Sequence, residues 1–129
     1  MRLAFDANQV LGGWTPKDSD GWAGGEECIV GFTRAFAQRG HEVHVFYDGI
    51  ATTDGPVLYH PRQDAREMAA AFDAALHFKC PEQAAERLAK RLYLWTDQER
   101  PVDPDAFRQI AACSHYLARH LSSSTPRCA

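Results

Sequence analysis

Short apolar runs alternate along the chain with stretches whose apolar residues recur every three or four positions. The chain opens on such a run, residues 2–5 (Arg-Leu-Ala-Phe), which reads as a buried strand. Residues 7–25 follow with no period and with glycines at 12, 13, 21, 24 and 25, which predicts a loop carrying Trp14 and Trp22. From Glu26 to Arg39 the period becomes helical. Ile29, Phe32 or Thr33, and Phe36 share a face, Glu26 and Glu27 sit at the positive end, and Gly40 supplies the stop. Val43, Val45, Phe46 and Tyr47 predict a second strand ending at Asp48-Gly49, and residues 57–60 a third. Pro61 opens a predicted helix to about Phe72, with Ala65, Met68, Ala69 and Phe72 on one face. Residues 74–78 form a fourth strand, Pro81 starts a helix with Ala84, Ala85 and Leu88 inward, and residues 91–95 form a fifth strand. Asp103-Pro104 starts a short helical turn. Residues 109–113 give a sixth strand, and Ser114 caps a helix to about residue 121. Residues 122–129 carry no core pattern and are expected to fray.

Strands alternating with helices at this spacing predict βαβ units in a parallel sheet, with right-handed crossovers placing helices on both faces. The expected fold is therefore α/β, a three-layer α/β/α domain over residues 1–121 with 122–129 as a tail. In such a sheet ligands bind where loops leave the carboxyl ends of strands. Here those places are the 6–25 loop, Asp48-Gly49, Lys79-Cys80, Thr96-Asp97 and Ser114.

Composition narrows the function. The 129 residues suit one domain, and no apolar run approaches the roughly 20 residues that a bilayer requires. No secretory leader pattern opens the chain, since Arg2 and Asp6 flank only three apolar residues. A net charge of −3 argues against a protein that works by neutralising nucleic-acid phosphates, though a small nucleotide ligand needs only a local field. Cys28, Cys80, Cys113 and Cys128 share no CxxC spacing, which fits reduced thiols in a cytoplasmic protein.

The first loop carries the strongest candidate chemistry. A strand, then glycine pairs, then a helix start aims backbone N–H groups at an anion, and Gly24-Gly25, directly before the helix, removes side chains that would block a phosphate. The same glycines also suit a surface loop without a ligand. GxGxxG is absent, with Gly13 and Gly24 11 positions apart, yet Asp48 ends the second strand 23 residues after Gly25, near the spacing of a ribose-binding acid. Thr96-Asp97 closes an apolar strand and could bind hydroxyls or move a proton, while Asp97 equally suits a turn cap. His41 and His44 fall on opposite faces of a strand, and His77 with Cys80 makes no better pair. With no HExxH or CxxC, no metal site is expected, and neither GxSxG nor a P-loop is present.

In order along the chain, Ala23-Gly24-Gly25-Glu26-Glu27, the run Phe32-Thr33-Arg34-Ala35-Phe36-Ala37-Gln38-Arg39-Gly40-His41-Glu42-Val43, Leu92-Tyr93-Leu94-Trp95-Thr96-Asp97 and Ala111-Ala112-Cys113-Ser114-His115-Tyr116 resemble the N-terminal domain of GT-B glycosyltransferases, closest to the retaining family 4 group. The resemblance implies a Rossmann-like, acceptor-side half of a two-domain enzyme that moves a sugar from a nucleotide-sugar donor to an acceptor hydroxyl, without a cofactor. It implies that Gly24 and Gly25, with Gly12 and Gly13, lie near the donor phosphates. Thr96 and Asp97 would lie near the transferring sugar or acceptor, and Ser114 and Tyr116 would open the last helix at the same cleft. Thr96 stands where many relatives carry His, so no imidazole role transfers to it. The donor-binding second domain of that family has no counterpart in these 129 residues. Since transfer needs both substrates held between two walls, the chain alone is expected to be inactive, and apolar surface left for the missing half favours self-association. A non-catalytic binding domain of the same fold and a dinucleotide-dependent oxidoreductase using Asp48 are the alternatives.

Overall fold

A computed structural model describes residues 1–7, 14–22, 24–68, 71–78 and 89, together with the backbone of strands 92–96 and 109–112. Strands β1 (Arg2–Asp6), β2 (Glu42–Tyr47), β3 (Thr52–Asp54), β4 (Val57–Pro61), β5 (Ala74–Phe78), β6 (Leu92–Thr96) and β7 (Gln109–Ala112) form one seven-stranded sheet ordered β3-β4-β2-β1-β5-β6-β7. All adjacent pairs are parallel except β3 with β4. Numbered among themselves in chain order, the six parallel strands run 3-2-1-4-5-6, so the winding reverses between β1 and β5. The α/β character read from the sequence is thus present.

Helix α1 (Gly24–Gln38) takes up the predicted helical period and begins two residues earlier than predicted, so Gly24 and Gly25 are its first residues rather than the end of the loop. Glu26, Ile29, Val30 and Thr33 are its buried side, and of the two candidates Thr33 turns inward while Phe32 is 40% exposed. The helix ends in a hydrogen-bonded double cap. The Gly40 N–H donates to the Ala37 carbonyl at 3.0 Å and the His41 N–H to the Phe36 carbonyl at 3.3 Å. Gly40 takes φ +89°, and the Phe36 and His41 rings close the cap at 5.9 Å.

Parallel register places paired residues on one side of the sheet. Leu3, Phe5, Val43, Val45, Tyr47, Val57, Tyr59 and Phe78 share one face and pack with Ile29 and Val30 of α1 and with Trp14. Arg2, Asp6, Glu42, His44, Phe46, His60 and His77 share the other. One face is therefore apolar and aromatic, and the other carries most of the ionisable groups of the inner strands.

Two elements differ from the sequence reading. The helix expected over 61–72 does not form: Pro61 ends β4, Arg62–Ala65 is a single 3-10 turn, and Phe72 bridges in parallel to Ala89. The Phe72 ring instead packs edge-on against His44 and Phe46 at 5.1 and 5.9 Å, under the Arg2 guanidinium. Asp73 then ties to Arg2 in both directions, its N–H to the Arg2 carbonyl and its carboxylate to the Arg2 N–H. Sheet packing of one aromatic ring outweighs the helical pattern that the same ring helped to suggest. Strand β3 was not predicted. It is folded back on β4 by Gly55-Pro56, with Gly55 at φ +56° in the first turn position. The helices expected from Pro81, at Asp103-Pro104 and after Ser114, and the tail 122–129, lie outside the described residues. Among the described residues no helix is long and apolar enough to cross a membrane.

Candidate functional site

The chain leaves the carboxyl end of β1 at Asp6 and returns to the amino end of β2 through the α1 cap, where the Glu42 N–H bonds the Met1 carbonyl at 3.0 Å. Helix α1 therefore runs antiparallel to the strands. At roughly 1.5 Å per residue, its 15 residues span the sheet and bring Gly24-Gly25 to the carboxyl edge. The first four N–H groups of a helix have no intrahelical partner, so the amides from Gly24 to Glu27 point toward that edge. A Cβ on Gly24 would meet nothing within 4 Å, so close packing does not account for that glycine.

The loop before α1 is anchored at both described ends. Trp14 is buried edge-on against Tyr47 and Tyr59 at 5.3 and 5.9 Å. Its indole N–H has no acceptor among the described residues. Asp18 caps the 3-10 turn Ser19–Gly21 by accepting the Asp20 N–H. Trp22 donates its indole N–H to the Thr15 carbonyl at 2.8 Å and lies under Arg34. Arg34 in turn makes a two-pronged ion pair with Asp54 of β3 at 2.8 and 3.1 Å.

The winding reversal between β1 and β5 is where a parallel sheet opens a crevice at its carboxyl ends. Asp6, the last residue of β1, pairs in register with His77 of β5. The two side chains meet there, Asp6 Oδ2 at 3.0 Å from His77 Nδ1, with 1% and 0% of their surfaces exposed. Arg62 brings its Nε to 3.9 Å from the other Asp6 oxygen. A carboxylate, an imidazole and a guanidinium thus share the switch point. The contact between Asp6 and the His77 Nδ1 edge fixes the orientation of the buried imidazole ring.

Of the predicted site residues, Gly24 and Gly25 stand at the carboxyl edge, and Thr96 is the last residue of β6 at the same edge. Gly12, Gly13, Asp97, Ser114 and Tyr116 lie outside the described residues. Asp48 directly follows β2, exposed at the carboxyl edge. The sequence reading passed over Asp6, Arg62 and the pairing of His77. A signal was present: an acid closing the first strand and a histidine next to the end of the 74–78 strand become neighbours once a 3-2-1-4 winding is assumed.

Glu42, His44 and His60 form a second polar cluster, on the same face nearer the amino edge. His44 Nε2 lies 2.7 Å from Glu42 Oε1, and His44 Nδ1 lies 2.8 Å from His60 Nε2. The bond from His44, followed by that from Arg2, holds the Glu42 carboxyl below its ordinary range. Burial, and then the neighbouring His44 ring, pushes the His60 imidazole below its ordinary value, with Asp64 opposing. Among the described residues no group of three or more His, Cys, Asp or Glu is placed to hold a metal ion. Cys28 is a half-buried free thiol on α1. Compared with known proteins, the chain matches no family model and no curated relative.

Proposed function

We propose that this chain is the acceptor-side, Rossmann-like half of a GT-B glycosyltransferase, with helices on both faces of its sheet. It would bind a nucleotide-sugar donor and a hydroxyl acceptor between itself and a second, donor-holding half. The observation that carries the reading is the meeting of three features at one sheet edge: a 3-2-1-4-5-6 parallel winding, the Gly24-Gly25 start of α1, and the Asp6–His77 pair at the reversal. Backbone amides at a helix start suit a diphosphate, and a buried acid–imidazole pair at the same carboxyl edge, on the other face of the sheet, suits a reaction that forms and relieves charge. Thr96 and Asp97, closing β6 and following it, are the residues assigned to the sugar or acceptor, with Gly12, Gly13, Ser114 and Tyr116 completing the cleft. The proposed setting is cytoplasmic.

The test is a transfer assay with a panel of nucleoside diphosphate sugars, run on the chain alone and with a C-terminal donor-binding half supplied in trans. Transfer is expected only with both halves present, and the chain alone should bind donors weakly. Micromolar donor affinity of the chain by itself would overturn this division of labour.

One observation favours a second reading. Asp48 follows β2 on the edge that Gly24 faces, where a dinucleotide enzyme places its ribose-binding acid. Quenching of Trp14 or Trp22 fluorescence by NADH, lost in Asp48→Ala, would favour an oxidoreductase over a transferase.

A further inference from the structure

The His44 and His60 rings lie within 8° of parallel with 5.0 Å between centres, while their nearest nitrogens are 2.8 Å apart. Rings so separated, yet touching through nitrogens, meet edge to edge along an N–H···N hydrogen bond rather than face to face. The direction of that bond is fixed from outside the pair. Glu42 is held ionised and can only accept, so His44 Nε2 donates to it. Neutral His44 then has Nδ1 as its acceptor, and His60 Nε2–H is the donor. The facing nitrogens hold one hydrogen between them. If either ring takes a proton, the link survives with one donor and one acceptor. If both do, each facing nitrogen carries a hydrogen and neither has a lone pair.

The pair spans adjacent strands, since His44 is in mid-β2 and His60 is the penultimate residue of β4. Pro61, at φ −57°, couples His60 stiffly to Arg62, whose guanidinium approaches Asp6 at the switch point. Among the described residues, the other charged or titratable groups on this face include Arg2 and Asp6 of β1, Glu42 of β2, Asp64 and Arg62 of the 3-10 turn, and His77 of β5. Arg2 and Glu42 lie on the amino side of the pair and offset one another at 3.1 Å. Asp64 is the acid that acts on His60.

We propose that Glu42, His44 and His60 form an acid-sensitive latch that holds β4 and the Arg62 turn in place while the two imidazoles share one facing hydrogen, and that uptake of a second proton breaks the link and releases Arg62 from Asp6. The latch is independent of which ligand the carboxyl edge takes. It sets a pH below which the Asp6–His77 pair loses its guanidinium neighbour. The opening lies on the acid side of the ordinary histidine value of roughly 6.5. The depressed His60 imidazole works in that direction, because the neutral form is the one the fold prefers.

Side-chain nitrogen NMR of the full chain tests the latch directly. Above the acid step, His44 and His60 should both show the Nε2–H tautomer, with a nitrogen–nitrogen coupling between His44 Nδ1 and His60 Nε2. That coupling should vanish as the second proton is taken up, and the His77 ring resonances should shift in the same step. His60→Gln keeps a donor for His44 but takes no proton, and should abolish the acid step at His77. The proposal is overturned by absence of the coupling, by independent titration of the two rings with no response at His77, or by an unchanged His77 step in the variant. If the variant does not fold, the wild-type titration alone decides.

Discussion

Asp6 is the residue on which most of the candidate site converges, since His77 and Arg62 both address its carboxylate from other elements. Replacing it by Ala leaves a buried imidazole donor without its acceptor. A loss of about 2 kcal/mol is expected, the range for stranding a buried polar group, read as a lower urea midpoint at unchanged slope. Tyr59 offers a test of the opposite face. Burial raises its phenol to about 12, with the Thr33 hydroxyl pulling the other way. The folded value lies above the unfolded one, so the stabilisation is complete below roughly pH 10 and is lost as pH rises through the folded value. Ultraviolet phenolate absorbance should therefore show one tyrosine ionising near 12, and that step should be missing in Tyr59→Phe. Periodicity made Tyr59 readable as a strand residue. It could not reveal Asp6 with His77, because the two lie 71 positions apart and meet only through strand order.

At the scale of elements, α1 is fixed most firmly at its far end. Its last carbonyls are satisfied by Gly40 and His41, and Gly40 must hold a left-handed backbone to do this. A Cβ there meets nothing within 4 Å, so Gly40→Ala tests conformation alone and should cost about 1 kcal/mol in thermal or urea unfolding. Gly40→Asn should cost less. The β1, α1, β2, β4, β5, β6 and β7 segments were legible from apolar runs and from the helix stop, with bounds off by a residue or two. The missing helix over 61–72 and the extra strand β3 share one cause. Phe72 and the Thr52–Asp54 segment are each placed by another element, the distant sheet face for the one and the adjacent β4 across a two-residue turn for the other, whose claims no apolar period records.

Across the whole molecule, the two sides of the sheet obey different rules. Against α1 the contacts are aromatic and aliphatic, so volume-conserving exchanges there should be tolerated. On the other side, Glu42, His44 and His60, and Asp6 with His77, are held by one another, and an apolar substitute of like size strands its partner. Of the candidate site, the place of Gly24, Gly25 and Thr96 at the carboxyl edge was legible, because it follows from the order of the elements along the chain. The side chains on the far face needed the register of three strands at once. The reversed strand β3 has a consequence for how copies of the protein meet. It rims one flank of the sheet with three residues, two threonines and an aspartate, clamped by Arg34. An incoming chain would find too short and too charged a ladder there to extend, so the flank resists templated fibril growth.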